Sequence, residues 1–308
     1  MRPLDALIDA FLAATRHTLR PNTRRAYRYD LALFARTLPT LDVADLTIDH
    51  LRAFLAATAD RAPATLARRR AALRSCFAWA YRYDLIPADP TGKLDKITLP
   101  QRDPRPLNAA AVEALLAAIP TAYARDRLLF TLLYETGMRV GEALAVQVDD
   151  VHLNDLDGGS IRVVGKGDRE RIIPLIDAPR SLRLLRPLVK PPQTRVAPLG
   201  PLFHGAVSNG GRRGEPLDNT TVVYHFERYL AAARRAQPEA FAAERAPITI
   251  LRLRHTYATE RLRAGVSLAA VRKLMGHQNL QTTLHYAETD LDSVKRELVA
   301  ARRRQRER

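Results

Sequence analysis

Apolar side chains recur at helical spacing through the first 85 residues and predict four helices. The first three helices are predicted within residues 4–12, 23–38 and 47–55. Pro63 begins the longest helix, which runs to Tyr83 and is expected to bury Tyr81 together with leucine and phenylalanine side chains. Residues 1–85 are therefore predicted to form one helical domain around a single core.

Residues 86–106 interrupt this pattern with several prolines and little helical periodicity. Such a segment is typical of a linker between two lobes. Residues 107–290 are predicted to form a second domain, and residues 291–308 a C-terminal helix that ends in a basic tail.

The second domain alternates helical patterns with two short β-branched runs. Arg125 to Thr136 is a strongly apolar helix, which Gly137 ends. The runs Ser160 to Val164 and Arg171 to Leu175 flank a glycine-rich turn that contains Lys166, as in a β-hairpin. The expected fold class is mainly α with a small β-hairpin or sheet (α+β).

Residues 249–286 bring a set of reactive side chains onto a compact helical scaffold. Arg254 and His255 open an amphipathic helix, and a second helix stops at Gly276. His277 follows this stop, and Tyr286 lies one short helix later. Arginine binds phosphate oxygens through a planar fork, and a phenol can act as a nucleophile, so this set is typical of phosphoryl transfer.

The charge of the chain indicates a polyanionic partner. Lysine and arginine number 49 against 33 aspartate and glutamate, which gives a net charge of +16. Six arginines on the predicted helices of the first domain are expected to contact phosphates: Arg24, Arg25, Arg28, Arg68, Arg69 and Arg70. The single cysteine, Cys76, excludes an intramolecular disulfide, and no histidine or carboxylate set has metal-ligand spacing.

Four motifs in this order resemble the tyrosine recombinase (phage integrase) family, and Xer-type, integron and phage integrases most of all. The motifs are TGMRVGEAL at 136–144, VVGKGDRERIIPL at 163–175, RHTYAT at 254–259, and LMGH at 274–277 followed by Tyr286. The resemblance covers most of the chain. It implies a four-helix core-binding domain followed by a tyrosine recombinase catalytic domain.

The resemblance implies five catalytic side chains: Arg139, Lys166, Arg254, His277 and Tyr286. Tyr286 would attack a scissile DNA phosphate and form a 3′-phosphotyrosine bond. Arg139 and Arg254 would stabilise charge on the non-bridging oxygens, Lys166 would protonate the leaving 5′ oxygen, and His277 would donate a hydrogen bond to the phosphate.

Two further residues are expected to support this set. Glu142 lies three residues after Arg139 and is placed to hold its guanidinium rigid. His255 is interpreted as a buried, hydrogen-bonded partner. Tyr257 is the rival nucleophile, but it has the place of a core aromatic residue in its motif, so Tyr286 is preferred.

The resemblance also implies the partners. The expected partner is double-stranded DNA, bound by a homotetramer or a hetero-tetramer. The phosphotyrosine bond stores the energy of the phosphodiester, so no cofactor is expected. No apolar stretch reaches the length of a membrane span, and the predicted location is the cytoplasm, in association with the nucleoid.

One position departs from the family pattern. The box that contains Arg254 usually begins with a histidine, and this chain has Leu251 there. A leucine can neither contact a phosphate through a polar atom nor accept a proton. Alternatives to an active recombinase are therefore a cleavage-deficient DNA-binding regulator of the same fold, and a type IB topoisomerase, against which the separate N-terminal domain argues.

Overall fold

The computed structural model describes residues 3–99, 105–165, 169–189, 200–205, 214 and 216–276. The chain forms two compact units, residues 1–102 and 103–308. Each unit has its own buried apolar core. The division falls inside the segment predicted as a linker, and the exact boundaries at 85 and 107 remain predictions.

Four helices form the first unit, as the apolar pattern predicts. They are α1 (Leu4–Ala14), α2 (Pro21–Ala35), α3 (Ile48–Ala56) and α4 (Pro63–Arg82), with a 3₁₀ turn at Val43–Asp45. Pro21 and Pro63 stand at the first helical position of α2 and α4, where the missing N–H is not needed.

Aromatic rings fill the core of the first unit. The ring of Phe34 packs edge-on against Phe54 and Phe77, with centroids 5.2 and 6.1 Å apart. Ile86 and Leu94, in the predicted linker, are also buried in this core. The predicted burial of Tyr81 is wrong: its side chain is 52% exposed, because the buried stripe of α4 reaches Ala80 instead.

Seven helices of the second unit lie in the described residues. They are α5 (Ala109–Ala117), α6 (Ala124–Thr136), α7 (Val140–Ala145), α8 (Pro179–Val189), α9 (Asn219–Ala236), α10 (Ile250–Arg263) and α11 (Leu268–Met275). The side chains of Asn108, Asp218 and Ser267 accept backbone N–H bonds at the starts of α5, α9 and α11. Helix α10 begins four residues earlier than predicted, after the extended residue Thr249.

The strands form one small antiparallel sheet in the order β1-β2-β3. Its strands are β1 (Val151–His152), β2 (Ser160–Val164) and β3 (Glu170–Pro174). The backbone N–H of Gly165 donates to the carbonyl of Arg169 over 2.7 Å and closes the predicted hairpin. Strand β1 was not predicted, because two residues are too few to show an alternating pattern.

The core of the second unit joins the sheet to the helices. Leu128, Phe130 and Leu132 on α6 are buried, and Ile161 and Ile173 bring the inner face of the sheet into the same cluster. The predicted fold class, mainly α with a small sheet, is confirmed. Within the described residues, no helix has the length and apolar character needed to span a membrane.

We expect Phe34→Ala to lower the free energy of unfolding by about 3–5 kcal/mol, because it leaves a cavity among three packed rings. Tyr81→Ala removes an exposed ring and should change stability by about 0.5 kcal/mol or less. Urea unfolding followed by circular dichroism measures both. Equal losses in the two variants would contradict the placement of these rings.

Candidate active site

Arg139 stands at a turn that only glycine allows. Helix α6 ends at Gly137, whose φ of 63° lies in the left-handed region. A Cβ at Gly137 would lie 2.3 Å from the ring of Tyr257, so a side chain there would displace the ring. The chain then turns into α7, with Arg139 immediately before its first residue and its side chain 44% exposed.

The carboxylate of Glu142 holds Arg139 in place. One oxygen accepts from the backbone N–H of Arg139 and the other from its Nη1, both at 2.8 Å. This is the contact predicted for Glu142. Arg171 of β3 donates to the same two oxygens, from Nη1 at 3.0 Å and from Nη2 at 2.8 Å. One buried carboxylate therefore binds two guanidinium groups.

These bonds keep Glu142 ionised. Burial by itself would raise the pKa of Glu142, but the hydrogen bonds from Arg171 and Arg139 and the charge of Arg171 bring this pKa down to about 2. At a pH between about 2 and 4.5, Glu142 is therefore ionised in the folded protein, whereas it would be protonated in the unfolded chain.

Arg254 comes from α10 and is 4% exposed. Its Nη1 and Nη2 donate to the carbonyl oxygens of Gly137 and Met275. Arg139 Nη1 lies 3.5 Å from the same Met275 oxygen. The last carbonyl groups of a helix carry partial negative charge, so the end of α11 binds both guanidinium groups side by side.

Lys166, His277 and Tyr286 lie outside the described residues, but the chain that leads to two of them is described. A Cβ at Gly165 would lie 3.5 Å from Glu142 Oε1, and a Cβ at Gly276 would lie 3.0 Å from Arg171 Nη1. The residues before Lys166 and before His277 therefore both lie beside the Glu142–Arg171 pair.

Arg171 is the site residue that the sequence analysis missed. Its Nε also donates to the carbonyl of Leu274 over 2.9 Å. A signal was present: Arg171 shares the inward face of its strand with Ile173, which is 0% exposed, while Ile172 between them is 57% exposed. An arginine on the inward face of a strand requires a partner carboxylate.

The surroundings of Tyr257 and His255 fit a structural role for both side chains. Tyr257 is 6% exposed, burial raises the pKa of its phenol, and the Arg261 guanidinium lies 5.6 Å from its ring centroid. These contacts support the interpretation of Tyr257 as a core residue rather than a nucleophile. His255 is half-buried, and burial together with the charges of Arg254 and Arg252 lowers its pKa, so the ring is neutral at pH 7.

Leu251 and Arg252, which precede Arg254 on α10, have opposite environments. Leu251 is 57% exposed, so a histidine in its place would lie at the surface. Arg252 is 6% exposed and donates to the carbonyls of Arg105 and Pro106 and to the carboxylate of Glu244. Arg252 therefore points away from Leu251.

One of the six arginines predicted to contact DNA is not at the surface. Arg69 is 5% exposed, lies 5.8 Å from the Phe54 ring centroid and faces the buried carboxylate of Asp30. Its prediction is corrected: Arg69 belongs to the core of the first unit. Asp30 needs this neighbour because it is 1% exposed and a buried carboxylate requires compensation.

The other arginines of this group reach solvent to different degrees. Arg68 is 44% exposed and binds Asp30 with two parallel hydrogen bonds of 2.8 and 3.0 Å. Arg70 is partly buried and donates to the carbonyl of Leu94 over 2.7 Å. On α2, Arg25 and Arg28 are exposed and Arg24 is partly exposed. Their contacts with DNA remain predictions.

The second unit thus contains an anion-binding centre. Arg139 and Arg171 share the carboxylate of Glu142, and Arg254 lies beside Arg139 at the Met275 carbonyl, so three guanidinium groups lie near one carboxylate and give an excess of positive charge. Such an excess at a surface turn attracts a phosphate group. Within the described ranges, no set of three histidine, cysteine or acidic residues is arranged to hold a metal ion.

Comparison with known proteins gives a consistent result along the chain. Residues 105–292 match the model of the phage integrase family, and residues 8–84 match that of the phage integrase N-terminal SAM-like domain. The tyrosine recombinase XerC of Mycobacterium sp. (strain KMS) is 36% identical over 301 residues, which span 92% of this chain and 94% of the relative. The tyrosine recombinase XerD of Ralstonia nicotianae is 35% identical over 274 residues, 86% of this chain and 83% of the relative.

Solved structures show the same fold at lower identity. The XerH site-specific recombinase bound to palindromic difH substrate, a post-cleavage complex, superposes with a TM-score of 0.67 at 20% identity over 96% of each chain. A lambda integrase tetramer bound to a Holliday junction gives 0.69 at 19% identity, over 92% of this chain and 76% of that one.

We expect Glu142→Gln to destabilise the protein most at neutral pH. The lowered pKa of Glu142 contributes stability that is complete above pH 4.5 and is lost as the pH falls toward 2. The difference in unfolding free energy from the wild type should be up to about 3 kcal/mol at pH 7 and roughly half of that at pH 3. Urea unfolding at a series of pH values measures it.

Glu113→Gln is the matched control, because Glu113 binds Arg180 in a two-bond pair whose side chains are 56% and 44% exposed. Its loss should be about 1 kcal/mol or less. A Glu142→Gln difference that is the same at pH 7 and pH 3 would show that the carboxylate does not titrate as described.

Proposed function

Because the chain belongs to the phage integrase family of tyrosine recombinases, we propose that it cuts and rejoins double-stranded DNA at specific sites through a 3′-phosphotyrosine intermediate. The observation that carries the catalytic assignment is the meeting of Arg139 and Arg254 at the Met275 carbonyl, two residues before His277. Two adjacent guanidinium groups beside that turn form a binding site for one phosphate group.

In the proposed reaction, the phenol of Tyr286 gives its proton to water, since Leu251 cannot accept it, and its oxygen attacks the scissile phosphorus. A bond forms between this oxygen and phosphorus, and the bond from phosphorus to the 5′ oxygen breaks. Lys166 gives a proton to the departing 5′ oxygen, and His277 donates a hydrogen bond to the phosphate. The 5′ hydroxyl of another strand then reverses the step, so the reaction needs no cofactor.

Arg139 and Arg254 stabilise the transition state in this proposal. Charge accumulates on the non-bridging oxygens as the phosphorus becomes five-coordinate, and guanidinium groups that are already oriented stabilise it without reorganisation. Glu142 orients Arg139 through two bonds of 2.8 Å. His255, neutral at pH 7, adds no competing charge beside Arg254.

The first unit holds the duplex through phosphate contacts in this proposal. Arg24, Arg25 and Arg28 lie on one helix and reach solvent, and Arg68 presents an exposed guanidinium whose one edge binds Asp30. Contacts of this kind supply affinity without reading sequence, and they weaken as salt rises.

Assembly and location follow from the relatives. The XerH complex is bound to DNA, and the lambda integrase structure is a tetramer on a Holliday junction. We infer that this chain exchanges strands as a tetramer, either with copies of itself or with a second recombinase. Its DNA substrate implies a location in the nucleoid.

Leu251 is the one observation that favours the alternative, a DNA-binding regulator that does not cleave. Family membership and the presence of Arg139, Lys166, Arg254, His277 and Tyr286 favour the recombinase instead. Catalysis in such a site is distributed over several groups, so a missing histidine is expected to slow cleavage rather than abolish it.

We expect Tyr286→Phe to abolish covalent linkage to DNA while DNA binding remains nearly unchanged, because the phenol oxygen supplies the nucleophile but little of the contact surface. The measurement is adduct formation on a nicked suicide substrate, in which the cleaved end diffuses away and the adduct accumulates. Binding is measured on the same DNA.

Tyr257→Phe is the control for this experiment, since Tyr257 is a buried core residue that keeps its ring in the variant. It should still form the adduct. If Tyr286→Phe still forms the adduct and Tyr257→Phe does not, the nucleophile is Tyr257 rather than Tyr286.

We expect Leu251→His to raise the single-turnover cleavage rate, by up to about 10²-fold, because an imidazole can accept the proton of the attacking phenol. The gain should be largest above about pH 6.5, where the imidazole is neutral. Since Leu251 is exposed, unfolding free energy should change by about 0.5 kcal/mol or less. No adduct from either protein, on DNA that both bind, would favour the regulator.

A further inference from the structure

All three nitrogens of the Arg171 guanidinium donate to other parts of the second unit. Nη1 and Nη2 bind the carboxylate of Glu142 on α7, and Nε binds the carbonyl of Leu274 near the end of α11. The Arg171 side chain is 13% exposed and that of Glu142 is 6% exposed. One side chain therefore joins the sheet, the helix after Arg139 and the helix that ends before His277.

The same guanidinium lies beside two glycines that precede catalytic residues. A Cβ built on Gly165 would be 3.5 Å from Arg171 Nη1, and one built on Gly276 would be 3.0 Å from it. Gly165 comes directly before Lys166, and Gly276 directly before His277. A single nitrogen atom therefore lies next to both glycines, at the points where the chain leads to these two side chains.

We propose that Arg171 is a positioning residue of the active site, which holds the backbone before Lys166 and before His277 in fixed places relative to Arg139. This inference rests on the proposed function, because it assigns Lys166 and His277 their roles in DNA cleavage. Arg171 itself does not contact the substrate. It acts through Glu142, which it shares with Arg139, and through the end of α11.

The geometry requires arginine rather than any cation. A planar guanidinium donates in parallel to both oxygens of one carboxylate while its Nε donates in a third direction. Lysine carries the same charge on a single nitrogen and cannot reach Glu142 and the Leu274 carbonyl in this arrangement. Arg171→Lys therefore keeps the charge and removes the positioning.

The leaving group of the DNA substrate distinguishes a positioning role of Arg171 from a purely structural one. When Lys166 is misplaced, the 5′ oxygen departs without its proton, and cleavage of ordinary DNA slows. If sulfur replaces this bridging oxygen, the bond from phosphorus to sulfur breaks and the sulfur leaves as a thiolate. A thiol with a pKa near 8.5 needs no proton from Lys166 in order to leave.

The experiment measures single-turnover cleavage of two suicide substrates, one with the ordinary 5′ oxygen and one with 5′ sulfur. The proteins are the full-length wild type, Arg171→Lys, Arg171→Met and a control, Arg162→Met. Arg162 lies on the neighbouring strand β2, is 45% exposed and forms ion pairs with Asp150 and Glu170. Urea unfolding of each protein is measured in parallel.

We expect both Arg171 variants to cleave the oxygen substrate about 10²-fold more slowly than the wild type, and the sulfur substrate less than about 10-fold more slowly. Arg162→Met should match the wild type on both. If Arg171→Met fails to fold, Arg171→Lys decides the comparison, because it retains the buried charge beside Glu142.

Equal slowing on both substrates would overturn the positioning of Lys166, and wild-type rates in Arg171→Lys would overturn the positioning role as a whole; both results leave the proposed function intact. Absence of an adduct with the wild type itself, on DNA that it binds, would overturn the proposed function and this role together. The Arg171 variants therefore test the positioning role, and the wild type tests the proposed function, within the same experiment.

Discussion

The carboxylate of Glu142 is the charge on which the arrangement of the catalytic unit depends. It is 6% exposed, and it accepts hydrogen bonds from the side chains of Arg139 and Arg171 and from one backbone N–H. A carboxylate removed from water is expensive unless each oxygen is bound, and removal of one partner leaves an uncompensated charge. Strand β3, the turn at Arg139 and the end of α11 are fixed together because they share this requirement.

The site is assembled from the ends of elements rather than from their middles. Helix α6 ends at Gly137 and α11 at Gly276, both with φ near +60°. The carbonyl groups left free at such ends bind arginine, which explains why Gly137 and Met275 accept from Arg254. The backbone itself therefore orients the positive charge that a phosphate requires, before any DNA is bound.

Periodicity and capping residues predicted the helices well, because a stripe of apolar side chains and a starting proline or asparagine are local features of the sequence. The two arginines whose surroundings the sequence did not show, Arg69 and Arg171, have partners that are far from them in the sequence. Arg69 reads as one of three adjacent basic residues on a helix, and only the packed fold shows that it faces Asp30. Likewise, the role of Arg171 depends on Glu142, 29 positions away. Arg171 lies inside one of the quoted motifs, but nothing in that motif shows that its side chain binds Glu142.

The contacts of Arg252 bind the residues before α5 to the rest of the second unit. Its guanidinium donates to the backbone carbonyls of Arg105 and Pro106, and the N–H of Leu107 donates to Thr256 on the same helix. A fragment that started at Leu107 would leave buried donors of Arg252 unbound, at roughly 1–3 kcal/mol for each. An isolated C-terminal fragment therefore has to include Arg105 and Pro106. Both residues precede its first helix, and they bind Arg252 through their backbone carbonyls.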